Sequence, residues 1–244
     1  MIHKSIRGCL LAALVGILLL PTGVGAAPRG YTVFHGDRAR PDIALTVDDC
    51  YRADVVAEIL DLCEQYGVPV TFFVVGEALS LEDQALWRRA LARGCELGNH
   101  TWGHPRLPDL TREQIEQTLG KTQEKLERVL GYPYDMQVMR PPYGSLSNNP
   151  VRTSDPWVVA AIEAAGYLHA VRWDVDQTDP TEALDEVANG SILLYHANPK
   201  DVRCLQALIP ALLEQGYRCV TVSELLGLQA PVCDARTEKQ EVFP

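Results

Sequence analysis

The chain has 244 residues, 47% of them hydrophobic, and a formal net charge of −10. That apolar content can fill the core of one domain of about 200 residues and is too high for a disordered chain. The acidic balance argues against nucleic acid or an anionic membrane surface as a partner.

In chain order the first element is a leader. Lys4 and Arg7 precede an apolar run from Cys9 to Leu20, and PTGVGAAP then offers small residues in an A-x-A-like pattern, the layout of an export signal. The run is shorter than the roughly 20 residues that span a bilayer, which favours cleavage near Ala26 over a permanent anchor. The expected division is a signal peptide over 1–26, an N-terminal leader segment over 27–42, one domain over 43–227 and a tail over 228–244. The expected destination is extracellular, periplasmic or the cell wall. Without the signal the chain keeps six cysteines, Cys50, Cys63, Cys95, Cys204, Cys219 and Cys233, and an oxidising compartment would allow disulfides among them. No C-x-x-C pair occurs, so a cysteine zinc module is not expected.

The first strand is IALTV (43–47), which ends on two adjacent carboxylates, Asp48 and Asp49. A helical pattern at 52–66 follows, then the strand VTFFVV (70–75), a helix at 83–93, the strand CELGN (95–99) and a helix at 111–130. Beyond these come the strand MQVMR (136–140), a helix at 155–165, the strand LHAVRW (168–173) and a helix at 181–189. The strand ILLYH (192–196), a helix at 201–216 and the strand RCVTV (218–222) complete the series. The 111–130 helix has the clearest start, because Thr111 with Gln114 three residues on forms a capping box and Ile115, Leu119, Leu126 and Leu130 fall on one face. Strands apolar enough to be covered on both sides, alternating with helices, predict an α/β fold with a mostly parallel sheet. Closed on itself, that sheet is a single-domain (β/α) barrel of about seven strands.

Function in such a barrel collects at the C-terminal strand ends, where the unusual residues fall. Asp48 and Asp49 end the first strand, His100 and His104 follow the third, and Arg140 ends the fourth ahead of PPYG. Asp176 and Asp179 follow the fifth, and His196 ends the sixth. Taken singly, each also fits a plainer role. An Asp-Asp pair is often a turn or cap, Arg140 could be a salt-bridging loop residue, and His196 a satisfied core histidine. H-x-x-x-H places two imidazoles one helical turn apart, which suits one divalent metal but also an ordinary surface pair. His35 and His169 have no polar constellation around them and read as structural.

Together these segments resemble the polysaccharide deacetylase family, carbohydrate esterase family 4 with its NodB homology domain. The family pattern runs T-F-D-D-G, H-S/T-x-x-H, R-P-P-Y-G, D-x-x-D-W and L-x-H; here TVDDC, HTWGH, RPPYG, DQTDP and LLYH occur in that order over about 43–225. The resemblance implies a distorted (β/α) barrel, one divalent metal ion, usually zinc, and hydrolysis of N-acetyl or O-acetyl groups on a polymer such as peptidoglycan, chitin or xylan. No stable protein partner is implied. By the same resemblance Asp49, His100 and His104 are the metal ligands and Asp48 is the general base, oriented by Arg140. The backbone N–H of Tyr143 would bind the oxyanion, His196 would protonate the departing amine, and Asp179 would hold the His196 imidazole. Three protein ligands leave coordination places open for water and the acyl oxygen.

Cys50 stands where the family has glycine and Pro180 where it has a tryptophan that helps wall the pocket. Glycine at position 50 implies a tight backbone turn, which a disulfide from Cys50 to Cys204 would fix. Cys50 itself is not expected to bind the metal, since a fourth protein ligand would take the place of the water. Two other readings stay open: a hydrolase of small non-peptide amides or imides on the same fold, and a non-catalytic carbohydrate-binding relative.

Overall fold

Strand β2 (Asp42–Asp49) is the axis of the fold. Its alternation sorts residues by face: Ile43, Leu45 and Val47 join the large core beneath the helices, while Ala44 packs in the smaller core inside the barrel. Thr46 and Asp48 share that inner face. The computed structural model describes residues 31–228; the expected signal peptide and residues 229–244 lie outside them.

Around β2 the strands run parallel. β3 (Thr71–Val74) and β6 (Ile192–His196) flank it, and β4 (Glu96–Asn99) extends the sheet beyond β3. β7 (Arg218–Cys219) joins the start of β2. β1 (Tyr31–Val33), within the segment expected to precede the domain, pairs with β5 (His169–Val171). Single parallel bridges carry the sheet onward, from Asn99 to Met139, from Met139 to Ala170 and from Val175 to Leu193. The result is the expected α/β barrel, distorted where isolated bridges replace full ladders.

Helices α1 (Ala53–Tyr66), α2 (Gln84–Ala92), α3 (Arg112–Leu130), α4 (Pro156–Ala164), α5 (Pro180–Glu186) and α6 (Pro199–Glu214) alternate with the strands, and the short α7 (Val222–Leu225) follows β7. α3 starts with the Thr111–Gln114 capping box that its sequence predicts. α1 stops at Gly67, whose φ of 65° lets its N–H reach back to the Cys63 and Glu64 carbonyls. Two expected strands are reduced to one or two paired residues. MQVMR bridges only at Met139, because Pro141 and Pro142 follow at once and have no N–H to continue a ladder. RCVTV pairs only through Arg218 and Cys219, since the Thr221 side chain accepts the Glu224 N–H and starts α7.

Gly98 links this framework to the barrel mouth. It lies opposite Phe73 in the β3–β4 register, and a Cβ there would stand 2.7 Å from the Phe73 ring. Phe73 in turn lies 4.3 Å beneath the Arg140 guanidinium. Gly98→Val should therefore overpack the interior by about 1–3 kcal/mol and lower the urea midpoint without changing the slope. An unchanged midpoint would contradict this packing.

Candidate active site

The end of β2 separates its two carboxylates by a change of backbone conformation. Asp48 stays extended and is 4% exposed, whereas Asp49 and Cys50 take φ of 69° and 59°. One side chain therefore points into the barrel and the next toward its mouth. The Cys50 conformation is the tight turn that glycine at this position implied.

Inside the barrel, Arg140 Nη1 donates to Asp48 Oδ1 at 2.7 Å and to Thr46 Oγ1 at 2.7 Å. Its Nε reaches the Val171 carbonyl at 3.3 Å and its Nη2 the Arg172 carbonyl at 3.2 Å. Burial pushes the Arg140 pKa down while Asp48 pulls it up; a guanidinium remains charged at neutral pH regardless.

His100 follows β4. Its Nδ1 donates to the Arg140 carbonyl at 2.8 Å, which leaves Nε2 as the free coordinating atom, 3.6 Å from both Asp48 Oδ2 and Asp49 Oδ1. His104 Nε2 lies 3.4 Å from the same Asp49 oxygen. The H-x-x-x-H segment is a loop, not the helical turn its spacing suits. Thr101 and His104 have φ of 68° and 58°, and the Asn99 side chain caps the loop by accepting the Thr101 N–H at 2.8 Å. The loop nevertheless brings both rings together, with centroids 4.9 Å apart.

These three residues fit a divalent cation. One ligand atom from each of Asp49, His100 and His104 lies within 4.8 Å of the other two. Asp49 Oδ1 is buried and accepts no hydrogen bond, an uncommon state for a carboxylate oxygen unless a cation completes it. Burial lowers the His100 pKa and so favours the neutral imidazole that ligation needs. Two imidazoles and a carboxylate are a donor set that zinc accepts.

The RPPYG segment forms the adjacent wall. Gly144 and Ser145 N–H groups close its turn on the Pro141 and Pro142 carbonyls, and the Tyr143 N–H takes part in neither bond. Tyr143 has φ of 59°, and its ring, 65% exposed, lies 4.5 Å from that of His104. His196 lies opposite Asp48 in the β2–β6 register. Its pKa is raised, chiefly by Asp201.

Two expectations are corrected. Asp179 does not hold His196: its Oδ1 accepts the N–H groups of Thr181 at 2.9 Å and Glu182 at 3.1 Å, capping α5 with Pro180 in the first turn. The carboxylate within ion-pair reach of His196 is Asp201, at 3.6 Å from Nδ1. The Cys50–Cys204 bridge is absent, both residues being free and buried. Cys50 Sγ turns back toward the carbonyls of Val47 and Asp48 at 3.8 and 3.9 Å, and burial beside two aspartates pushes its pKa up. Asp176 accepts the Trp173 indole N–H at 3.2 Å. Sequence reasoning missed Asp201 and Trp173. The Asn198-Pro199 pair that starts α6 signals the helical turn that holds Asp201, and Trp173 ends the expected strand LHAVRW.

Residues 35–156 match the family described as Polysaccharide deacetylase. The chain is 30% identical over 206 residues to a peptidoglycan-N-acetylglucosamine deacetylase of Bacillus cereus, covering 79% of this chain and 70% of that protein. It is also 30% identical over 195 residues to a bifunctional xylanase/deacetylase of Pseudobutyrivibrio xylanivorans, covering 77% of this chain but only 31% of that longer protein. Among solved structures, a variant of a Bacillus anthracis CE4 family pseudoenzyme with restored enzymatic activity superposes with a TM-score of 0.69 at 25% identity, covering 82% of this chain and 72% of that one.

Arg140 is the residue on which this geometry most depends. Arg140→Met should leave Asp48 buried without its partner and cost about 3–5 kcal/mol of stability, read as a lower denaturant midpoint. Wild-type stability in that variant would mean that the pair holds nothing in place.

Proposed function

Because the chain belongs to the polysaccharide deacetylase family, we propose that it is an exported, metal-dependent hydrolase of carbon–nitrogen bonds other than peptide bonds, which removes N-acetyl groups from a cell-envelope or extracellular polysaccharide. The observation that carries this reading is the division of labour at the end of β2. Asp48 is held by Arg140, while Asp49 presents an unsatisfied oxygen to two imidazoles. The leader sequence supports export. The B. cereus relative favours peptidoglycan as the first polymer to test, and the xylanase/deacetylase keeps xylan in the comparison.

In this mechanism Asp49, His100 and His104 hold one divalent ion, with zinc the best match to the donors. When bound, that ion supplies Lewis-acid polarisation of the acyl carbonyl and a more acidic water. Arg140 binds Asp48 through Oδ1 and fixes its orientation, so Oδ2 takes the proton as water adds to the carbonyl carbon. The Tyr143 N–H, uncommitted to its own turn, stabilises the oxyanion. His196 gives a proton to the leaving nitrogen, the C–N bond breaks, and acetate and a free amine result. A neighbour described as a pseudoenzyme raises a non-catalytic alternative, but the intact Asp49–His100–His104 set and the Asp48–Arg140 pair favour an active enzyme.

Acetate release from peptidoglycan, chitin oligomers and acetylated xylan by the zinc-loaded protein tests the activity and ranks the polymers. Within that assay the two aspartates should separate. Asp48→Asn keeps its metal and loses on the order of 10² to 10⁴ in turnover, whereas Asp49→Asn loses the metal itself. Identical behaviour of the two variants would show that their roles have been divided wrongly.

A further inference from the structure

We propose that Asp201 is a positioning residue for the reaction: from the first turn of α6 it fixes the tautomer and the aim of the His196 imidazole. This rests on the reading of His196 as the proton donor. Asp201 is 2% exposed. Asn198 caps α6 by accepting the N–H groups of Lys200 at 2.9 Å and Asp201 at 3.0 Å. That cap turns the Asp201 carboxylate back over the end of β6, where Oδ2 accepts the His196 backbone N–H at 2.6 Å and lies 3.6 Å from its ring Nδ1. The same oxygen thus grips the main chain of His196 and faces one edge of its ring.

A backbone N–H alone does not require a buried charge, because a neutral acceptor would satisfy it without the desolvation cost of a carboxylate. The N-terminus of α6 offsets part of that cost. What the charge adds is its effect on the imidazole, whose side chain is 44% exposed while Asp201 is enclosed. A carboxylate beside Nδ1 favours the proton on Nδ1 and stabilises the imidazolium, so Nε2 is the atom that gains and gives the transferred proton. Neither rival carboxylate is placed for this. Asp179 caps α5, and Asp176 accepts from Trp173.

Asp201→Asn in the full-length, zinc-loaded protein separates this role from a structural one. Asparagine can place its oxygen at the same point, where it still accepts the His196 N–H and faces Nδ1 but carries no charge to stabilise the imidazolium. Turnover should fall about 100-fold, with KM and metal content nearly unchanged. In a His196→Ala background the same substitution should cause no further loss, and ¹⁵N NMR of Asp201→Asn should show a smaller share of the Nδ1–H form of His196 and an imidazolium that deprotonates at lower pH. Wild-type turnover in Asp201→Asn, a further loss in the His196→Ala background, or an unchanged ¹⁵N titration of His196 would each overturn the inference. A loss in His196→Ala with none in Asp201→Asn overturns the inference alone; full turnover in His196→Ala overturns the underlying reading as well.

Discussion

The buried contact between Arg140 and Asp48 is the constraint on which the rest of the site depends. The side chains are 0% and 5% exposed and 2.7 Å apart. In such surroundings either charge left without its partner would be strongly destabilising. Other donors of Arg140 are also used, on Thr46 and on the carbonyls of Val171 and Arg172, so each nitrogen of the buried guanidinium is bonded. One side chain thereby joins the end of β2 to the end of β5. Its own carbonyl orients His100, so the positions of Asp48 and of one imidazole of the Asp49–His100–His104 cluster are set from the same residue.

Local strain is concentrated around that contact. The five non-glycine residues with positive φ among the described residues are Asp49, Cys50, Thr101, His104 and Tyr143, and all lie at the barrel mouth. Each such conformation costs on the order of 1–3 kcal/mol and persists only where the surroundings over-determine it. Here the over-determination is visible. Asn99 caps the loop at Thr101, the β2–β3 and β2–β6 registers hold the strand below Asp49, and the two prolines fix the approach to Tyr143. The strained turns aim Asp49 and His104 at a common point that a regular strand or helix would not reach.

How much of this was legible in the sequence follows from the range of the forces involved. Apolar alternation and the Thr111 capping box are local signals, and they located the main strands and helices. Five short motifs in order identified the mouth, because barrel topology brings successive strand ends together whatever the intervening loops do. The path of the His100–His104 loop was not legible, since it depends on the Asn99 side chain and not on spacing. Asp179 failed as the partner of His196 for a readable reason: Asp-Pro ahead of a helix is a cap with proline in the first turn, and that local bond holds the carboxylate. Asp201 has only the Asn198-Pro199 helix start as a local signal, and that says nothing of His196. Its place follows from where α6 begins relative to β6, a tertiary fact. The Cys50–Cys204 expectation had no local signal behind it, and Cys50 stays folded against its own strand.

The central claim is that this mouth holds one divalent ion through Asp49, His100 and His104, with Cys50, next in sequence to a ligand, left out. X-ray absorption at the zinc edge of the zinc-loaded, full-length protein tests it directly, because sulfur and nitrogen or oxygen neighbours scatter at different distances. The account predicts a first shell of nitrogen and oxygen only, at about 2.0–2.2 Å, with the outer-shell pattern of two imidazoles. A sulfur neighbour at about 2.3 Å, or a shell without imidazole scattering, would contradict it.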